Sequence, residues 1–319
     1  MSAPDDDPLP LLGRSASAGS SGGPRRVGLI AGGGRFPLVV AESARRRDLE
    51  VYCIGLRHQM TSPELRELCS VFRYLGLGRL GAAIRFFKRH GVEEVTWAGW
   101  IRKEQLFRPW RLLSILPDWR VFRLWYFRLR NHQDATLLAA LADEFESEGI
   151  HVTHSTKLCP ELLAEEGQLS RKGPSKSQLE DIRFGWAVAK RLADLDVGQS
   201  VAVRERSTLA VEGIEGTDNN IRRAGEFCRG GGFTVVKLSK ESHDMRFDVP
   251  TVGPDTVDSL VAAGGAVLAI EAGRTMILDR ELMLEKANRH GIVVVALRAA
   301  PPDPNAEPGA LEAPAPAAG

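Results

Sequence analysis

Two short segments hold the residues best suited to chemistry. Glu215-Gly216-Thr217-Asp218 and Asp244-Met245-Arg246-Phe247-Asp248-Val249-Pro250 each set carboxylates beside glycine or proline, where a loop can hold them rigid. A hard cation such as magnesium demands oxygen ligands, and carboxylates on rigid turns supply them. A metal held by Asp218, Asp244 and Asp248 would serve phosphate chemistry, by polarising phosphorus and lowering the pKa of a bound water. Manganese accepts the same oxygens, so the residues alone do not choose between the two. Arg222 and Arg223 follow Asp218, and Arg246 stands between the acids of the second segment. Guanidinium forks match phosphate oxygens, although a solvated face competes for at least one of the arginines. The plainer reading of Glu215 and the three aspartates is turn and cap chemistry, which these residue types favour.

A third segment is Gly32-Gly33-Gly34, which closes an apolar run and opens an amphipathic stretch. Glycines here let a ligand approach the backbone, and a helix N-terminus favours phosphate. A dinucleotide fingerprint fails: GxGxxG placed on Gly32 and Gly34 needs Gly or Ala at 37, and the residue is Pro37. The second strand, Val51 to Leu56, holds no acid for a ribose. Phosphate or nucleotide contact and a ligand-free tight turn remain open. His151 and His154 would face opposite sides of a strand, so joint chelation is not expected. Asp134 opens a helix, where a cap and a ligand contact compete evenly.

The elements that position these residues read as α/β. The chain has 319 residues, room for two domains, with 43% hydrophobic and 26% charged residues. Apolar runs at Val27–Ala31, Val51–Leu56 and Val92–Ala98 alternate with helical patterns at 36–47 and 80–90, which predicts a parallel sheet covered by helices. A helix is expected over 134–148, a strand from Val152, and a linker over 159–174. Beyond it, helices are expected at 177–195, 218–228, 255–263 and 280–290. Strands are expected at 200–204, 208–211, 233–238, 266–271, 275–278 and 292–297. The resulting division is a disordered leader at 1–24, an N-terminal domain at 25–158, the linker, a C-terminal domain at 175–298 and a disordered Ala/Pro tail at 299–319.

Net charge is +1, which argues against a chain built globally for nucleic acid. Four cysteines, Cys53, Cys69, Cys159 and Cys228, show no CxxC spacing and suit buried thiols in a reducing cytosol. No apolar run is long enough to span a bilayer, and the acidic, then Ser/Gly-rich N-terminal stretch is not a secretory signal. Five of the six tryptophans lie between Trp97 and Trp125, interleaved with arginines. That basic, aromatic stretch reads as a nucleic-acid stacking surface, an interfacial element for anionic lipid, or a packed helical hairpin with solvated arginines.

Taken in order, the motifs resemble the LpxI family. The resemblance covers about Val27 to Leu297. It rests on Gly28-Leu-Ile-Ala-Gly-Gly-Gly34 with Phe36-Pro37, on Glu215-Gly-Thr-Asp218 with Arg222-Arg223, and on Arg246-Phe-Asp-Val-Pro-Thr-Val-Gly253. Ala269-Ile-Glu-Ala-Gly-Arg274 leading to Asp279-Arg-Glu281 completes it. The resemblance implies a Rossmann-like N-terminal domain, a second α/β domain and a lipid held in the cleft between them. It implies hydrolysis of the pyrophosphate of UDP-2,3-diacylglucosamine to UMP and 2,3-diacylglucosamine 1-phosphate, with magnesium, and water attacking the phosphorus nearer the sugar. Asp248 matches the catalytic acid. Asp218 and Arg246 are expected to assist it. Gly32, Gly33, Gly34, Glu215, Gly216, Thr217, Arg222, Arg223 and Asp134 are expected to bind substrate. The implied partners are a lipid-linked UDP-sugar and the inner membrane surface, reached from the cytoplasm. Nucleic acid is not expected, and a homo-oligomer is left open. Two positions depart from the family pattern: Trp100 stands after Ala98-Gly99 where a small polar residue or Lys is usual, and His132-Gln133 precede Asp134. The rival classes are a non-catalytic lipid- or nucleotide-binding paralogue and an NAD-dependent oxidoreductase.

Overall fold

The computed structural model describes residues 25–101, 118–124, 134–239 and 249–301, leaving aside the side chains of 134–136. Asp244, Arg246 and Asp248, the side chain of Asp134, the leader, most of the tail and most of the tryptophan/arginine stretch lie outside this description.

The first half builds one five-stranded sheet. Its strands are β1 (Arg26–Ala31), β2 (Glu50–Leu56), β3 (Val71–Leu75), β4 (Glu94–Ala98) and β5 (His151–Val152), in the order β3-β2-β1-β4-β5. Every pairing is parallel. Helix α1 (Phe36–Arg46) packs Val40, Ala41 and Ala44 on one face, against Val27, Leu29, Val51 and Cys53. On the other face α2 (Leu80–Arg89) and α4 (Asp134–Glu146) bring Phe87 and Phe145 against Ile54 and Val95. Burial on both faces explains why these strands read as continuous apolar runs. The short α3 (Trp119–Arg123) lies between α2 and α4 in sequence. Strand β3 was not expected: its Val-Phe-Arg-Tyr-Leu run is strand-like but interrupted by Arg73, and as suits an edge only Leu75 is buried.

Strand order reverses between β1 and β4, since the chain leaves β1 toward β2 and β3 and returns to the other side. Crevices for ligands form at such a switch point, beyond the carboxyl ends of the strands. Gly32 and Gly99 occupy that place.

The second half builds a six-stranded mixed sheet. Its strands are β6 (Gly167–Gln168), β7 (Ser200–Arg204), β8 (Ser207–Val211), β9 (Phe233–Lys237), β11 (Gly265–Glu271) and β13 (Val293–Leu297), ordered β6-β13-β11-β9-β7-β8. β9, β11 and β13 are parallel, while β6 and β7 pair antiparallel with β13 and β9. Helix α5 (Lys176–Asp194) covers one face with Ile182, Trp186 and Ala189. Its start is fixed by a capping box in which Ser175 and Gln178 satisfy each other's backbone. Helices α6 (Thr217–Phe227), α7 (Pro254–Ala263) and α8 (Arg280–Arg289) cover the other face with Ile221, Leu260 and Met283. The stretch 159–174 is not bare chain: it holds a 3-10 turn at Pro160–Leu162 and β6.

β10 (Thr251–Val252) and β12 (Met276–Ile277) form a separate two-stranded parallel sheet. Met276 and Val249 join the core of the first half, beside Leu158 and Cys159. The two halves therefore share packed surface.

Gly225, inside α6, lies so near α7 that an added Cβ would stand 2.6 Å from Ala263 O and 2.9 Å from Ala263 Cβ. Gly→Ala in an ordinary helix interior stabilises by about 1 kcal/mol. Overpacking works the other way, at about 1–3 kcal/mol. Gly225→Ala is thus expected to lower the urea unfolding midpoint, and a raised midpoint would show that α6 and α7 are free to separate.

Candidate functional site

The glycine turn is saturated from within. Gly32 N–H donates to Ala98 O at 2.8 Å, Gly33 N–H to Trp100 O at 2.8 Å, and Gly34 N–H to Thr61 Oγ1 at 2.9 Å. Ser62 Oγ donates to Gly34 O at 3.1 Å. The glycines are required by packing: a Cβ on Gly33 would lie 2.6 Å from the Trp100 ring, and Gly34 has φ +84° with the Trp100 Nε1 2.9 Å from where its Cβ would be. The Trp100 indole thus covers the turn at the switch point and remains 43% exposed. Sequence reading marked Trp100 only as a departure. Its neighbours show it to be the reason three consecutive glycines are tolerated here.

Immediately after the turn, Arg35 Nε pairs with Asp279 Oδ2 at 2.7 Å, joining the start of α1 to the start of α8. Asp279 takes φ 45°, a left-handed conformation that Asp accepts more readily than most residues. From there backbone bonds lead across the second half. Leu278 N–H donates to Val252 O at 2.9 Å, and Met276 N–H to Pro250 O at 2.8 Å. Thr251 O in turn accepts from Lys237 Nζ at 2.9 Å, and the same Nζ donates to Thr217 Oγ1 at 3.0 Å. One continuous set of contacts thus joins the glycine turn, the chain just past Asp248, and the Glu215–Asp218 segment.

Within that last segment the roles divide. Glu215 Oε1 pairs with Arg223 Nη2 at 2.6 Å, and its Oε2 accepts from Gly213 N–H at 3.1 Å. Arg223 also donates to Val211 O and Asn220 Oδ1. Arg222 donates to Asn219 Oδ1. Glu215 and Arg223 therefore brace the turn, as the capping reading allowed. Gly216 has φ +81°, the backbone value that lets the chain enter α6. Thr217 Oγ1 donates to Glu212 Oε2 at 3.0 Å. Asp218 differs: it is half-buried in the first turn of α6 and, among the described residues, makes no side-chain hydrogen bond or ion pair. No group of three metal-ligating side chains occurs among the described residues.

Lys237 was missed by sequence reading. The signal was there in Phe233-Thr-Val-Val-Lys237, a single cation ending an otherwise apolar strand. Glu271, ending the neighbouring β11, is also buried and accepts Ser239 N–H at 2.8 Å. His151 is exposed and its Nδ1 lies 2.9 Å from Glu146 Oε2, a local pair.

In the described part of the basic stretch, Arg120 pairs with Glu148 at 2.5 Å, and the half-exposed Arg123 pairs with the buried Glu144 at 3.2 Å. Trp119 and Phe122 turn outward, 70% and 38% exposed, with rings stacked at 5.5 Å. Asp118 caps the turn by accepting Val121 N–H at 3.1 Å and Gly81 N–H at 2.6 Å.

Together these features define a two-domain α/β protein whose halves meet through Met276 and Val249, seated in the core of the first half, and through the Arg35–Asp279 pair. The family model for the LpxI N-terminal domain matches residues 26–162, and that for the LpxI C-terminal domain matches residues 165–295. The chain belongs to the LpxI family. It is 30% identical over 289 residues to the UDP-2,3-diacylglucosamine pyrophosphatase LpxI of Caulobacter vibrioides, covering 86% of this chain and 98% of that protein. Among solved structures, the biotin carboxylase subunit of a pyruvate carboxylase is 14% identical with a TM-score of 0.24. The match covers 65% of this chain and 42% of that one. The biotin carboxylase domain of Hydrogenobacter thermophilus 2-oxoglutarate carboxylase is 12% identical with a TM-score of 0.22, covering 66% and 42%. These two carry no argument at such scores.

Hydrogen bonds from Lys88 and Arg120 hold the Glu148 carboxyl down at about 2. A carboxylate depressed in the folded state stabilises above its ordinary value near 4.5, and that contribution is lost as pH falls through 4.5 toward 2. Amide exchange over residues 119–124, corrected for its intrinsic pH dependence, is expected to quicken in that window. Glu148→Gln should show the faster exchange already at neutral pH; unchanged protection would mean α3 is held by other contacts.

Proposed function

We infer that this protein hydrolyses the pyrophosphate of UDP-2,3-diacylglucosamine, giving UMP and 2,3-diacylglucosamine 1-phosphate, a step of lipid A synthesis. The observation that carries the reading is the pair of family models, N- and C-terminal, laid side by side along the chain. The pyrophosphatase of Caulobacter vibrioides, matched along nearly its whole length, supports it.

In this reading the seam between the halves holds the substrate. Asp248 orients the attacking water, and Arg246 neutralises charge that develops on the phosphoryl oxygens. Asp218, with its carboxylate uncommitted among the described residues, is a donor of the hard oxygen type that magnesium takes. Asp218, Asp244 and Asp248 would hold the ion, which when bound would polarise the phosphorus and acidify a water. Arg222 lies on the same helix as Asp218 and reaches phosphate by a change of rotamer. Because the three glycine N–H groups are donated within the protein, the turn at Gly32–Gly34 meets the nucleotide through the Trp100 ring and not through an amide cradle.

A diacylated substrate resides in a membrane, yet no helix among the described residues is long and apolar enough to cross one. The outward Trp119–Phe122 pair is the contact we assign to the bilayer surface, since aromatic rings favour the headgroup level. Arg120 and Arg123 are engaged with Glu144 and Glu148, so charge reversal there would disturb folding as well as binding. The aromatic residues make the cleaner test.

UMP release from UDP-2,3-diacylglucosamine, followed with and without EDTA, checks the activity and the metal together. Release abolished by EDTA and restored by magnesium is expected. Binding without release would favour a non-catalytic paralogue. Asp248→Asn is expected to keep the fold and lower turnover by roughly 100-fold or more, in line with loss of a catalytic acid or base; near-normal turnover would remove Asp248 from the mechanism. Trp119→Ser/Phe122→Ser is expected to reduce co-sedimentation with anionic vesicles while circular dichroism stays unchanged. Undiminished sedimentation would refute the membrane assignment.

A further inference from the structure

Lys237 is the buried cation to which no task has yet been given. It ends β9, where Phe233, Val235 and Val236 are fully buried, and is itself only 8% exposed. Its strand partner on β11 is Ile270, so its side chain leaves the sheet on the face that carries α6 and α7. There Nζ donates to Thr217 Oγ1 and to Thr251 O. Among the described residues both partners are uncharged. An ammonium has three N–H donors and no acceptor, so one donor remains beyond these two. Thr217 is held in place for its part, because its own hydroxyl hydrogen goes to Glu212.

Burial of an ammonium among neutral oxygens is strongly unfavourable unless an anion completes the arrangement. The position suits one. β9 and β11 are parallel, Lys237 lies at their carboxyl ends, and open α/β sheets take their ligands there. Its two fixed partners belong to the segments before and after it in the seam: Thr217 precedes Asp218, and Thr251 follows Asp248 by three residues.

We propose that Lys237 is an anion-binding residue of the substrate site, its ammonium held by Thr217 and Thr251 so that its third N–H receives a phosphoryl oxygen of the pyrophosphate. This rests on the pyrophosphatase reading for the identity of the anion. The geometry also accounts for the choice of lysine. A fork-shaped guanidinium would need more room at this strand end, whereas a compact ammonium satisfies two oxygens and still presents a donor.

The test compares wild type with Lys237→Met and Lys237→Arg, using inorganic pyrophosphate in EDTA-containing buffer of low ionic strength as the probe. Wild type is expected to bind it, with a concentration-dependent rise in Tm. Lys237→Met is expected to be as stable as wild type or more so without ligand, since an apolar side chain replaces a buried charge. Its Kd for pyrophosphate should be weaker by about 10- to 100-fold, the loss of one charge-assisted hydrogen bond. Lys237→Arg, which keeps the charge, should recover part of that affinity. In turnover of UDP-2,3-diacylglucosamine, kcat/KM should fall by a similar factor in the Met variant. Equal pyrophosphate binding by wild type and Lys237→Met would overturn the proposal, as would no binding by wild type. Failure of both variants to fold would assign Lys237 to the structure alone and overturn it too. Absence of UMP release by wild type would refute the activity while leaving the pyrophosphate titration to judge Lys237.

Discussion

Two residues of backbone pairing, Thr251–Val252 against Met276–Ile277, hold the seam of this molecule together. The pairing fixes the chain that emerges from Asp248-Val249-Pro250, because Met276 N–H binds Pro250 O. It also seats Met276 and Val249 in the core of the other half. A two-stranded sheet of this length has no independent stability in water. It persists because Val252 and Ile277 pack in the core of the second half, Met276 packs in that of the first, and Thr251 O is tied to Lys237. The chain that follows Asp248 is therefore held by contacts to both halves, through Val249 and Met276 on one side and Lys237 on the other.

Charge around the candidate site is arranged in two ways. Glu215 with Arg223, and Arg35 with Asp279, are half-exposed pairs that neutralise each other. Exposed ion pairs contribute little to stability, roughly 0–1 kcal/mol. Their value here is positional: one shapes the turn before α6, and the other sets the start of α1 against the start of α8. Asp218 and Lys237 are the exceptions, since neither meets an opposite charge among the described residues. One is half-open to solvent and the other is buried, a contrast suited to a cation from solution and to an anion on the substrate respectively.

Much of the fold was legible in the sequence because both sheets are covered on two faces. Strands such as Val51–Leu56 and Val293–Leu297 then read as unbroken apolar runs, and their helices carry clear periodicity. Edge elements were less legible: β6 is only two residues long, and the apolar run of β3 is short and broken by Arg73. The site was legible only as residue types. Carboxylates beside Gly216 and Pro250 announced rigid turns, but nothing in the order of residues tells that Glu215 is spent on Arg223. Likewise the interleaved tryptophans and arginines left a nucleic-acid surface, a lipid interface and a packed hairpin with solvated arginines all open. The buried Glu144, with which Arg123 pairs beside the exposed Trp119, is far away in sequence. Partner choice between distant residues is decided by packing, and local pattern does not encode it.

The glycine turn shows how the same residues serve a different physical end from the one first read into them. Consecutive glycines after a strand suggest amides turned toward a phosphate. In this chain those amides are consumed by Ala98, Trp100 and Thr61, and the space a Cβ would fill is taken by the Trp100 ring. A close approach is still what the glycines permit, but the approaching group is an indole of the protein. At the switch point a ligand would then meet a flat aromatic surface, which favours a planar ring by stacking and leaves charge to be met elsewhere. In the proposed reading that division would set the pyrophosphate toward the second half, where Lys237, Asp218 and the arginines of α6 stand, and would leave the first half to read the shape of the nucleotide.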